Sequence, residues 1–181
     1  MRYAQKEIHL KDGRKAILRS PEIEDAPQLL QYLRKTAEET EFLLRTPEEC
    51  SLTLQQEEDF IRRSQESDSS MVICCFVDGV LAGNCDLRPH TKIKNKHRAN
   101  IGIALLQEFW GLGIGTALFE EMIRIGKEWG LLQLELEVFE GNDRAMALYR
   151  KMGFMTVAAT PNAIRQKDGS FIKEFLMVRP L

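Results

Sequence analysis

Gln107-Glu108-Phe109-Trp110-Gly111-Leu112-Gly113-Ile114-Gly115-Thr116 is the stretch around which the chain is organised. Its glycines alternate at Gly111, Gly113 and Gly115. A run with strand character, Asn100 to Leu105, leads in, and a run with helical spacing, Ile114 to Trp129, leads out. Glycine lets a backbone turn tightly and approach a ligand closely. A helix N-terminus adds N–H groups without intrahelical partners and the positive end of the dipole. A glycine bend that feeds a helix therefore suits an anion, most simply a phosphate or pyrophosphate.

Upstream, Gln5–Leu10 and Lys15–Arg19 flank Lys11-Asp12-Gly13-Arg14, and the Asp-Gly pair predicts a hairpin. Ala26, Leu29, Leu30, Leu33 and Ala37 predict an amphipathic helix with Pro27 near its start. The segment from Ala37 to Leu52 reads as loop or short turn, and Leu54 to Gln65 as a second helix with Phe60 and Ile61 inward. Met71–Val77 and Val80–Arg88 are strands joined at Asp78-Gly79, Pro89–Lys96 is a basic loop, and Arg98–Leu105 is the strand before the glycines. Downstream, Gly130 caps the long helix, and Leu132–Val138 is a strand with Leu134, Leu136 and Val138 on its apolar face. Asn142 caps a short helix carrying Ala145, Leu148, Tyr149 and Met152, and Phe154–Ala159 and Ser170–Val178 close the chain around a turn at Lys167-Asp168-Gly169. This order describes a mixed α/β (α+β) domain around one sheet.

The 181 residues suit a single domain, 1–181, able to bury roughly 70% of its unfolded surface. A net charge of -2 implies no general attraction to polyanions. The basic run Lys92, Lys94, Lys96, His97, Arg98 is short and lacks interleaved aromatics, so no nucleic-acid partner is expected. No apolar run reaches membrane-spanning length and the N-terminus lacks a signal-peptide core, so a cytoplasmic protein with no membrane partner is expected. Cys50, Cys74, Cys75 and Cys85 form no C-x-x-C pair; free thiols are expected, and no metal site.

Two motifs carry a family resemblance. Trp110 to Gly115 resembles the Q/R-x-x-G-x-G/A signature of the GNAT superfamily of acetyl-CoA-dependent N-acetyltransferases. The run from Asn142 to Phe154, Asn-Asp-Arg-Ala-Met-Ala-Leu-Tyr-Arg-Lys-Met-Gly-Phe, is similar to its second signature, N-x-x-A-x-x-L-Y-x-K-x-G-F. The resemblance implies a mostly antiparallel sheet with a splayed parallel strand pair, here Asn100–Leu105 and Leu132–Val138, and flanking helices. It implies acetyl-CoA as co-substrate, direct transfer of acetyl to an amine of a small molecule or peptide, and an open question of homodimerisation. The cofactor-binding residues it implies are Ile103, Leu105, Gly111, Leu112, Gly113, Ile114, Gly115, Thr116 and Asn142.

Tyr149 is the catalytic residue the resemblance implies, donating to the departing thiolate. A phenol titrates near ~10 and a thiol near ~8.5, so a strong hydrogen bond is easy and full transfer mildly uphill. A base must take a proton from the acceptor ammonium. Relatives often carry a Glu where this chain has Asn100, which leaves Glu137 by strand position, with His97, Glu41 or water as rivals. Trp110 stands where Gln or Arg is usual, and neither it nor Leu112 brings a cation. The pyrophosphate is therefore expected to rest on backbone N–H groups, with a weak salt dependence.

Between Glu22 and Asp68 thirteen acids face five bases, an excess that favours a cationic acceptor and equally suits solvated helix faces. Two other classes compete. A dinucleotide oxidoreductase is disfavoured because Leu106–Trp110 separate the strand from the glycines. A non-catalytic acyl-CoA-binding sensor is kept open by Asn100.

Overall fold

The computed structural model describes residues 1–181. Its strands are β1 (Lys6–His9), β2 (Lys15–Arg19), β3 (Met71–Val77), β4 (Val80–Pro89), β5 (Arg98–Leu105), β6 (Gln133–Phe139), β7 (Met155–Arg165) and β8 (Phe171–Pro180). The helices are α1 (Ala26–Glu39), α2 (Leu54–Glu66), α3 (Ile114–Glu128) and α4 (Asp143–Lys151). The strands order β1-β2-β3-β4-β5-β6-β8-β7 in one sheet, with β5 and β6 parallel and the other registered neighbours antiparallel. The mixed, mostly antiparallel sheet expected from the sequence is thus present. By internal contacts the chain forms two units: Met1–Arg88 with Gly102–Met122, and Pro89–Ile101 with Ile123–Leu181.

In the first unit, Asp78 (φ 49°) and Gly79 (φ 80°) both take the left-handed conformation required by a tight two-residue hairpin between β3 and β4. β3 is buried on both faces except at Val72, so its composition is a continuous apolar run rather than an alternation. Thr53 starts α2 with a capping box: its side chain accepts from the Gln56 N–H, and the Gln56 side chain accepts from the Thr53 N–H. Leu18, Ile61, Ile73, Leu87, Leu118 and Phe119 are wholly buried and form the centre of this unit's core.

Two helix faces differ from expectation. On α1 the buried stripe is Ala26, Leu29, Tyr32, Thr36 and Ala37, while Leu30 and Leu33 are only half-buried. On α2 Ile61 is buried as expected, but Phe60 is 44% exposed and Glu57 takes the inward place. Glu57 and Ile61 are four apart and share a stripe, and Phe60 stands about 100° round the helix from Ile61.

In the second unit β6 is held on one edge by β8, in a register running from Gln133↔Pro180 to Phe139↔Glu174. Glu135 lies on the strand face read as polar, yet it is only 4% exposed. β7 extends to Arg165, well past the expected Ala159; an irregularity between Thr160 and Ile164, with Asn162 at φ 53°, absorbs Pro161. Cys74, Cys75 and Cys85 are buried free thiols, as expected, whereas the free Cys50 is only half-buried.

Gly83 of β4 faces the end of β5. A Cβ there would lie 2.8 Å from the Leu105 Cγ and 2.9 Å from the Ala104 carbonyl oxygen, and the backbone oxygen cannot rotate away. Gly83→Ala is expected to lower stability by about 1–3 kcal/mol in urea unfolding.

Candidate functional site

In the first unit β5 ends at Leu105 and a single 3-10 turn, Gln107–Phe109, carries the chain into the glycines. Phe109 is buried and anchors that turn. Gly111 (φ 79°) and Gly113 (φ 98°) then take left-handed conformations that a side chain would strain. The α3 ladder opens with the Ala117 N–H donating to the Gly113 carbonyl at 3.1 Å. The N–H groups of Ile114 and Gly115 precede that bond and belong to the opening turn, whose amides have no partner within the helix.

The carbonyls nearby are occupied. The Trp110 indole N–H donates to the Leu105 carbonyl at 3.0 Å, so the residue that departs from the family signature ties the loop to the end of β5. The Lys11 N–H donates to the Leu112 carbonyl at 3.1 Å. The Tyr32 hydroxyl lies 2.7 Å from the Ala104 carbonyl and 2.8 Å from the Asn84 Oδ1. One hydroxyl proton cannot serve both acceptors; turning the Asn84 amide so that its NH2 donates to Tyr32 satisfies both contacts.

Lys11 was not foreseen here. The β1–β2 turn lays it beside the loop, its Cγ 3.9 Å from the point where a Cβ on Gly113 would sit. Neighbouring Arg14 is held by Asp12 at 2.7 Å and Asp78 at 3.7 Å and lies over the Phe109 ring at 5.7 Å. Lys11 is exposed and has no ion-pair partner in the chain. A cation therefore adjoins the glycine bend, supplied by a distant hairpin rather than by the loop itself.

Two carboxyls in this unit also escaped the sequence reading. Glu57 is 2% exposed, and burial pushes its carboxyl above the usual carboxylate range. Asp86 of β4 pairs with the Arg88 Nε at 2.6 Å. Burial raises its pKa more than the Arg88 guanidinium lowers it. Both sit where alternation reads as an ordinary polar face.

In the second unit the parallel pairing of β5 and β6 runs Arg98↔Gln133, Ala99↔Leu134 and Asn100↔Glu135. β6 continues to Phe139 beyond that register. Arg98 clamps the pair through two hydrogen bonds to Glu135, that from Nη2 to Oε2 being 2.7 Å, and Gln133 donates to the Glu135 Oε1 at 2.7 Å. The Arg98 hydrogen bond lowers the Glu135 pKa, against the effect of burial. Asn100, the last residue in register, is exposed.

Asn142 caps α4 as expected: its Oδ1 accepts from the Ala145 N–H at 3.2 Å. Tyr149 is buried on α4 at 8% exposure, with the Phe154 ring 6.3 Å away and tilted by 58°. Glu137 is exposed on β6, where together with burial it raises the pKa of Glu174. His97 and Glu41 are exposed. The sequence-derived residues thus fall in two sets: Ile103, Leu105 and 111–116 in one unit, and Glu137, Asn142 and Tyr149 in the other.

The sequence model of the acetyltransferase (GNAT) family matches residues 28–154. The L-amino acid N-acetyltransferase AaaT of Escherichia coli is 27% identical over 109 residues, covering 60% of this chain and 66% of that protein. An N-alpha-acetyltransferase of Sulfurisphaera tokodaii is 34% identical over 92 residues, covering 50% of this chain and 52% of that protein. Among solved structures, a GNAT-family acetyltransferase from Streptococcus pneumoniae superposes with a TM-score of 0.86 at 26% identity, covering 92% of this chain and 99% of that one. An acetyltransferase from Salmonella typhimurium, solved with acetyl-CoA, has a TM-score of 0.79 at 14% identity over 92% of this chain and 94% of that one, and shares the fold.

Arg98→Ala leaves Glu135 buried without its guanidinium and is expected to cost about 1–3 kcal/mol at neutral pH, the partial exposure of Arg98 moderating the loss. Because the folded-state pKa of Glu135 is depressed, the pair's contribution is present above the ordinary glutamate range. It fades as pH falls through the lower folded value. Urea titrations at pH 7 and at about pH 3 should show the wild-type advantage shrinking in acid.

Proposed function

Because this chain belongs to the acetyltransferase (GNAT) family, we propose that it is an N-acetyltransferase that moves the acetyl group of acetyl-CoA to a primary amine by direct attack. The observation that carries this reading is the glycine bend at the head of α3, inside the stretch matched by the family. Its donors, the N–H groups of the glycine bend from Gly111 into α3, suit a pyrophosphate, and exposed Lys11 adds a cation beside them. The pantetheine arm lies along the backbone at Ile103 and Leu105, beside the Leu105 carbonyl that the Trp110 indole engages. Asn142 has a carboxamide NH2 to give the arm while its Oδ1 caps α4.

The acceptor in this reading is an α-amine, of a free amino acid or of a peptide N-terminus. The names of two relatives, an L-amino acid N-acetyltransferase and an N-alpha-acetyltransferase, support it. So does the acidic surplus between Glu22 and Asp68, which attracts an ammonium. Tyr149 donates to the departing CoA sulfur, supported by its place in the second signature and by its buried, ring-packed setting. The amine's proton also needs a destination, and Glu137, the sequence-derived candidate, has solvent around it. A cytoplasmic setting is supported by the four free cysteines. The exposed Asn100, in place of an acid, favours a second reading, an acyl-CoA sensor without turnover.

CoA release measured against the twenty L-amino acids and an alanine-initiated peptide separates the two readings: binding without turnover on any amine leaves the sensor. Tyr149→Phe is expected to lower kcat by about 100-fold, with acetyl-CoA affinity by calorimetry little changed. A parallel loss of affinity would assign Tyr149 to packing instead. Lys11→Ala should weaken CoA binding several-fold at low salt and flatten its dependence on ionic strength, which tests Lys11 against a site made of backbone alone.

A further inference from the structure

Asn84, Asp86 and Arg88 alternate along β4 with buried Cys85 and Leu87, so the three share one face of the strand. On that face the Asp86 Oδ1 lies 2.8 Å from the point where a Cβ on Gly102 of β5 would sit, and the Arg88 Nη2 lies 3.7 Å from it. Gly102 keeps that space clear of a side chain. The next residue along β5 is Ile103, whose backbone is assigned to the thioester arm. A carboxylate therefore stands over bare backbone one residue from the reacting group.

We propose that Asp86 is the general base of acetyl transfer, receiving the acceptor's ammonium over Gly102 and taking its proton. The assignment rests on the acetyl-transfer reading above and adds to it the residue that activates the nucleophile. In the net reaction the nitrogen sheds two protons. One passes to the Asp86 carboxylate and on to solvent, which a side chain 25% exposed permits. The freed lone pair forms the C–N bond at the thioester carbonyl carbon, the C–S bond breaks, and the second proton ends on the CoA sulfur by way of Tyr149. No oxidant, reductant or metal enters the balance.

The surroundings of Asp86 fit the role. Arg88 is the charged group acting on it; its register partner on β3 is Val72, and Gly102 faces it from β5. α1 reaches the same face through Tyr32, whose hydroxyl is spent on Asn84 and Ala104. Burial makes the carboxylate more basic and Arg88 opposes that shift only in part, so the net direction is toward a stronger base.

The test is kcat/KM against pH for wild type, Asp86→Asn, Arg88→Gln, Gly102→Ala and Glu137→Gln, with the best α-amine of the panel, and acetyl-CoA affinity measured separately. Asp86→Asn should lose about 100- to 1,000-fold in kcat/KM and its acid limb, with acetyl-CoA affinity within about threefold. Arg88→Gln should move the acid limb to higher pH, since it removes the cation that lowers the Asp86 pKa. Gly102→Ala should cut turnover by forcing the carboxylate aside. These two variants carry the test if Asp86→Asn does not fold. An acid limb that survives in Asp86→Asn, or that disappears in Glu137→Gln instead, overturns the assignment. So does an Asp86 carboxyl that titrates by ¹³C NMR in or below the ordinary aspartate range, a measurement needing no acceptor. A wild type that neither binds acetyl-CoA nor acetylates any amine counts against the acetyl-transfer reading itself.

Discussion

The first turn of a helix exposes N–H groups that no carbonyl of that helix can reach, and α3 opens with such a turn directly after the glycine bend. The loop's acceptors are consumed internally: Leu105 by the Trp110 indole, Leu112 by the Lys11 amide, Gly113 by the Ala117 amide and Ala104 by the Tyr32 hydroxyl. These four carbonyl oxygens, which would repel an anion, are engaged by other donors. Left-handed Gly111 and Gly113 are the means, because side chains there would strain the bend that separates donors from acceptors.

Charge is distributed on the same logic. A buried carboxylate is costly unless something compensates it. Glu135 is held toward its ionised form by Arg98 and Gln133, against burial, and it fastens the start of the parallel pair. Asp86 is compensated only in part by Arg88, and its pKa rises accordingly. Glu57 is buried and also raised. A group that fixes structure is held ionised by its partners, whereas one left short of partners keeps the capacity to exchange a proton.

Local chemistry made most of the fold legible in the sequence. The Asp-Gly turns, the Thr53 cap, Gly130 after α3 and the Asn142 cap each state a backbone conformation that the chain adopts. The misreadings were of faces. Phe60 was placed inward because it is aromatic and next to Ile61, although the stripe belongs to Glu57 and Ile61. Glu135 and Asp86 sit at positions that alternation marks as solvent-facing, yet Arg98 and Gly102, on a neighbouring strand, decide their surroundings. Lys11 is far from the glycines in sequence, so only the β1–β2 turn packing on the loop reveals that the bend has a cation beside it. Trp110 looked like a lost cation and is a hydrogen-bond donor that closes the end of β5.

The central claim, that the amides at the head of α3 grip the diphosphate of acetyl-CoA, is tested most directly by ¹⁵N–¹H NMR during titration with CoA and with dephosphorylated pantetheine. Large downfield shifts of the Gly113, Ile114, Gly115 and Thr116 amides with CoA, absent with pantetheine, are the predicted result. Amides that stay in place while CoA binds would contradict it, and would put the diphosphate elsewhere on the protein.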